Sequence, residues 1–245
     1  MKTTNQKKDT IKKALLFVRI FFFVLYNPLN LYCADADLNM LNHVEANENR
    51  FQGYIGLSVT MIPREIVEEE IAQIPMLEGR LNYKVNDNLS VHSRLMTNYL
   101  TNSLSLGVSW TQSWKDFSIS AGDMTEAWFG IAQMDGFDAT SYGLANYPSV
   151  SMDVKLADYT VKAKVEGIIF LTQESTIGNT SFKDNKEPFT GMIFSLSLQQ
   201  SLWKDNDLEL GVKLNYTEPS HHVWLAFSEM NEWMLYPQLS MGYSL

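Results

Sequence analysis

The sequence predicts an all-β fold: a closed antiparallel transmembrane β-barrel of about ten strands, with room for twelve. Three observations carry this. Apolar and polar residues alternate with a period of two over almost the whole chain from Phe51 onward, which sends the two sets to opposite faces of extended segments. The connections between those segments alternate between short and long. The second face of each strand is small or polar rather than apolar, so it does not build the dry core that a soluble β-sandwich needs between its sheets.

The elements follow in order. "FQGYIGLSVTMI" (51 to 62) carries Phe51, Ile55, Leu57, Val59 and Met61 on one face. "LEGRLNYKV" (77 to 85) sets Leu77, Leu81, Tyr83 and Val85 against Glu78, Arg80, Asn82 and Lys84. After the turn "NDN", residues 89 to 100 set Leu89, Val91, Leu95 and Tyr99 against Ser90, His92, Arg94 and Asn98. In "SLSLGVSWTQSW" (103 to 114), Leu104, Leu106, Val108 and Trp110 oppose serines and a glycine. "FSISAGD" (117 to 123) comes next, and an irregular stretch then reaches to about Tyr147. Residues 149 to 157 pair with 159 to 171, and 189 to 203 with 208 to 216. The terminal "YPQLSMGYSL" alternates Leu239, Met241, Tyr243 and Leu245 with Ser240, Gly242 and Ser244, and finds its partner in the strand at Phe51, which closes the cylinder.

Strands of about 9 to 11 residues suit a tilted crossing of a bilayer. The joints at 86 to 88, 115 to 116, 157 to 158 and 204 to 207 are short, as is 101 to 102. Those at 63 to 75, 125 to 147, 172 to 188 and 217 to 232 are long. Short periplasmic turns with long external loops are the pattern of barrels in the outer membrane. Tyr99, Trp114, Phe117, Trp203, Tyr216, Trp233, Tyr236 and Tyr243 fall near strand ends, where aromatic girdles belong. "PREIVEEEIAQIP" has the spacing of a short amphipathic loop helix.

The first residues read as an export signal. Lysines precede the apolar run "ALLFVRIFFFVLY", and "ADA" at Ala34 to Ala36 offers a cleavage site. The expected organisation is therefore a signal peptide at 1–36, a periplasmic segment at 37–50 and the barrel at 51–245. Uncleaved anchoring and lipidation of Cys33 are the alternatives. Cys33 is the only cysteine among 245 residues, so a cleaved chain has no thiol and no disulfide. Cleavage leaves 13 basic residues against 26 acidic ones of the original 19 and 28. That balance argues against a nucleic-acid partner, and membrane lipid is the partner that the apolar face implies.

If the polar face points inward, it gathers Arg80, Lys84, His92 and Arg94 in one group and Lys155, Lys162, Lys164 and Lys213 in another. Glu78, Asp153, Glu166 and Glu209 accompany them. Seven inward bases, leaving histidine aside, against four acids make a mildly basic lumen with a modest preference for anions. Rows of serine and glycine argue for clearance along part of the wall, whereas pairing of the charges across the lumen would plug it. No cofactor or metal set stands out. Ser220, His221, His222 and Glu218 offer a base beside a nucleophile in the last long loop, the basis of a hydrolase alternative. External loops binding a partner, as in an adhesin or structural barrel, are another.

In these residues the chain resembles Gram-negative outer-membrane barrels, and more specifically the general porins. The terminal alternation Leu239, Met241, Tyr243, Leu245 is similar to their C-terminal assembly signal, with leucine in place of the usual terminal phenylalanine. The stretch "FSISAGDMTEAWFGIAQMDGFDATSYGLANYPSVSMDV" is similar to the segment where their fifth strand feeds a long third loop. The resemblance implies passive diffusion of small hydrophilic solutes, a constriction formed by loop 125–147 with Glu126, Asp135 and Asp138, the barrel-assembly machinery as a partner, and a homotrimer.

Overall fold

The computed structural model describes residues 50–61, 73–98, 100–134, 137–157, 159–178, 180–183, 188–203, 206–218 and 233–244. The expected export leader, Asp135, the Ser220–His222 loop and Leu245 lie outside them, as does the expected loop helix up to residue 72. The strands are β1 (Phe51–Met61), β2 (Gln73–Lys84), β3 (Leu89–Thr97), β4 (Thr101–Trp114), β5 (Phe117–Met134), β6 (Phe137–Asn146), β7 (Ser149–Leu156), β8 (Tyr159–Ile177), β9 (Thr180–Lys183), β10 (Phe189–Trp203), β11 (Asn206–Thr217) and β12 (Met234–Ser244).

All of them belong to one antiparallel sheet. β1 pairs with β2 on one side and with β12 on the other, from Tyr54↔Ser244 to Thr60↔Gln238. The sheet therefore closes on itself and leaves no edge around the ring, the condition for strands to stand in lipid.

β6 and β7 are one crossing. Thr125↔Asn146 and Gly122↔Ser149 keep the same register against β5, and Met124 and Tyr147 exchange both backbone hydrogen bonds between them. Pro148 interrupts the ladder because it has no N–H to donate. With β6 and β7 counted as one stave and β9 attached only to β8, the ring has ten staves.

The expected third loop is not a loop. Residues 125–134 continue β5 and 137–146 form β6, paired from Thr125↔Asn146 to Met134↔Phe137. Alternation persists here, with Ala127, Phe129 and Ile131 exposed opposite buried Glu126, Trp128, Gly130 and Ala132. The inner set contains a tryptophan and an acid instead of serines, which hides the period. Asp135-Gly136 between the two runs is the hairpin signal that identifies it. Much of the stretch from 172 to 188 is likewise strand, the end of β8 and β9.

The outer face is apolar: Ile55, Leu77, Leu106, Leu196, Leu235 and Met241 are all exposed, Ile55 at 64 %. Aromatic rings cluster at both rims. Phe51 lies 4.7 Å from Tyr83 and Trp114 5.4 Å from Phe117 at the short-turn end, while Trp233 meets Tyr216 at 5.0 Å at the long-loop end. Tyr236, expected in a girdle, instead faces inward and is buried.

In the turn after β7, Ala157 has a φ of 47°, in the left-handed region that glycine tolerates and alanine does not. Ala157→Gly is expected to stabilise the barrel by about 0.5 kcal/mol, the relieved strain less the greater freedom of glycine in the unfolded chain. Urea unfolding of the refolded protein checks this; an unchanged or lower midpoint contradicts it.

Candidate functional site

Inward residues alternate with lipid-facing ones on every stave, so the backbone fixes which charges meet. Arg80 on β2, His92 and Arg94 on β3, Glu126 on β5, Lys162, Lys164 and Glu166 on β8, and Glu209 and Lys213 on β11 all stand on the inner face. Lys84 and Lys155 stand on it near the short-turn rim. Two inward acids escape a reading by alternation alone. Glu126 belongs to the wall rather than to a loop, and Asp207 is held by Gln199 Nε2 at 2.6 Å and Ser201 Oγ at 2.7 Å. The expected seven bases against four acids thus become seven against six. Asp138 faces outward near the tip of the β5–β6 hairpin and does not enter the lumen.

The charges form a layer across the barrel. Arg80 Nε donates to Glu78 Oε1 at 2.7 Å, and its Nη1 reaches Glu209 on β11 at 3.1 Å, passing over β1 and β12. The guanidinium also lies 3.9 Å from the centroid of the Tyr54 ring, a cation–π contact. Arg94 Nη2 reaches Glu126 Oε2 at 2.9 Å across β4. Ser105 Oγ donates to the same oxygen at 2.7 Å, and Tyr147 OH donates to Glu126 Oε1 at 3.1 Å. Lys164 pairs with Glu166 at 2.7 Å. Lys213 lies within electrostatic range of both Glu78 and Glu166.

These contacts leave little open space at mid-height. Glu126 and Ser105 are 0 % exposed, and Glu78 is 3 % exposed. Beyond the layer, toward the long loops, Met76, Met96, Ile168, Ile193 and Tyr236 are buried inside the ring. The clearance expected from glycine is filled as well: a Cβ at Gly56 or Gly242 would collide with the Tyr54 ring, so those two glycines make room for Tyr54 rather than for a passage.

Toward the short turns the interior opens. Lys155 and Lys162 are exposed, and Lys162 lies 3.6 Å from Asp153. A polar cavity of about 270 Å³ is lined by Lys155, Ala157, Thr160, Gln199, Ser201 and Asp207. His92 Nε2 lies 2.5 Å from Ser109 Oγ, a base beside a hydroxyl with no described carboxylate to orient it, which falls short of a catalytic relay. Among the described residues no group of three or more His, Cys, Asp or Glu could hold a metal ion. On the outside, a shallow apolar trough lined by Leu57, Val59, Leu196, Leu210, Val212 and Met241 lies in the lipid belt and holds no reactive group.

Closure of the sheet, the apolar outer band and the two aromatic rims occur together here. The architecture is that of an outer-membrane β-barrel. No known family model matches the chain, and no curated protein matches its sequence. It is similar in fold to solved outer-membrane structures. The outer-membrane protease OmpT of Escherichia coli shares 7 % identity over 81 % of this chain and 97 % of its own, with a TM-score of 0.49. Outer-membrane phospholipase A of Escherichia coli shares 8 % over 84 % and 95 %, with a TM-score of 0.35. An outer-membrane channel from Pseudomonas putida F1 shares 7 % over 79 % and 94 %, with a TM-score of 0.37.

Glu126 is buried and held by Arg94, Ser105 and Tyr147. Removing its cation strands a buried carboxylate, so Arg94→Ala is expected to cost about 3 kcal/mol or more, whereas Arg94→Met combined with Glu126→Leu returns close to the parent stability. Urea unfolding of the three proteins checks this. Equal losses in the single and double variants would contradict a buried pair.

Proposed function

We propose that this protein is an outer-membrane channel for small hydrophilic solutes or ions, closed at rest by the ion pairs that cross its lumen. The observation that carries the proposal is the Arg80–Glu209 bridge between non-adjacent strands, together with the Arg94–Glu126 bridge beside it. A barrel serving only as a scaffold has no need of charge inside, because apolar residues of similar volume fill such a space at equal or lower free energy. Here the layer contains polar atoms left without a partner among the described residues, Glu78 Oε2 and Arg94 Nε, and such a network can exchange partners with a passing ion or water.

Charge is also graded along the axis. The short-turn mouth carries Lys84, Lys155 and Lys162 against Asp153 and Asp207. The layer carries Arg80, Arg94 and Lys213 against Glu78, Glu126, Glu166 and Glu209, with Lys164 paired between the two regions. The mouth would therefore concentrate anions, and the layer would set whether they pass. Export through a cleaved leader and insertion by the assembly machinery through β12 belong to the same proposal.

Planar-bilayer recordings test it. The parent barrel is expected to give rare, brief openings. Arg80→Ala, which removes the side chain reaching from β2 to β11, is expected to give frequent steps of several-fold larger conductance. Heat-modifiable migration on SDS gels confirms that each protein has folded. A folded Arg80→Ala barrel that is silent at every voltage would contradict the channel and favour a structural or adhesive barrel.

A further inference from the structure

Within the apolar outer wall, three linked polar side chains stand together at one place. On β5, Asp123 and Thr125 point outward, within the apolar band and between the outward-facing rings of Phe117 and Phe129. Asn146 on the neighbouring stave joins them: its Nδ2 donates to Asp123 Oδ1 at 2.8 Å, and its Oδ1 accepts from Thr125 Oγ1 at 3.0 Å. All three are at the surface of the wall. Ionisable side chains inside a membrane normally face a protein interior or a water-filled cavity, because lipid offers them nothing.

Two further observations mark the same sector. Pro148 stands opposite Asp123 in the continuous register of β5 with β6 and β7. Gly167 N–H donates to the Pro148 carbonyl at 2.8 Å, but proline has no N–H to return, so the Gly167 carbonyl loses its ladder donor within the lipid belt. Several outward side chains around this point are small, Ala121 and Ala127 on β5 and Ala163 and Gly167 on β8, with Val150 and Leu144 flanking them. The far wall, β12, β1 and β2, instead carries Leu57, Leu77, Leu239 and Met241, all exposed. Small residues that permit close approach, with polar groups among them, are what intramembrane protein contacts use.

We propose that the β5–β8 wall binds a second copy of this chain, through a two-fold contact centred on Asp123, Thr125 and Asn146. A headgroup does not reach this depth and an acyl chain forms no hydrogen bonds, so the cover has to be protein. The patch is self-complementary. Asn146 has a second amide N–H, Asp123 has a second carboxylate oxygen, and the two lie on adjacent staves. A two-fold axis brings the Asn146 of each copy to the Asp123 of the other and satisfies both at once, as an isologous interface requires. This contact is independent of whether the lumen conducts.

The test uses the full chain with Cys33→Ser, refolded and reconstituted in bilayers, with single cysteines introduced by Thr125→Cys or, on the far wall, Leu57→Cys. With an added oxidant, the first is expected to give a covalent dimer and the second none. Without cysteines, Asp123→Leu and Gly167→Trp are each expected to weaken self-association about tenfold or more, on the order of the loss of one intramembrane hydrogen-bonded contact. The Trp variant leaves the polar triad intact, so it separates steric blocking from any folding defect. A folded parent barrel that is monomeric by mass, equal cross-linking at both positions, or cross-linking of Thr125→Cys in native membranes to a different protein would each overturn the proposal.

Discussion

A sheet standing in lipid must leave no backbone group unpaired, and the rest of this structure depends on how that constraint is met. Pairing of β1 with β12 closes the ring at ten staves. Barrels of eight strands are filled by their own side chains and those of sixteen hold water, so ten places non-adjacent staves within reach of long side chains. Arg80 then touches Glu209 although two strands lie between them. Closure makes the interior narrow, and narrowness makes its charges partners.

The inner surface is accordingly organised by depth. Lysines at the short-turn rim remain in contact with solvent, the carboxylates Glu78, Glu126 and Glu166 of the layer are buried, and apolar side chains such as Met76, Ile193 and Tyr236 fill the ring above it. Buried ion pairs contribute little net stability compared with apolar packing, since each ion loses its water. Their presence across the lumen is better explained by a part that must be able to rearrange than by the need to hold the barrel together, and this joins the fold to the proposed channel.

Much of this was legible in the sequence because a period of two survives in any strand with one lipid-facing side. Phe51 to Met61, Leu104 to Trp110 and Leu239 to Tyr243 take the faces their alternation assigns, and the inner positions of Arg80, Arg94 and Lys213 follow from it. What the pattern hid has physical causes. Between Thr125 and Asn146 the inward set holds Glu126, Trp128 and Tyr142's neighbour Gly143, too varied in size to show a period, so wall was read as loop. Asp207 lies next to a turn where alternation has barely begun. No linear pattern could reveal that the space left by Gly56 and Gly242 is occupied by Tyr54, because that contact joins three positions on two strands.

The central claim is that side chains from separated walls meet across the lumen, and a double-mutant cycle on Arg80 and Glu209 tests it most directly. Arg80→Ala, Glu209→Ala and the double variant, each unfolded in urea, are predicted to give a coupling free energy of about 1 kcal/mol or more, as residues in direct contact do. Additive effects, agreeing within about 0.3 kcal/mol as for independent sites, would mean that the two walls do not touch and would contradict the closed lumen.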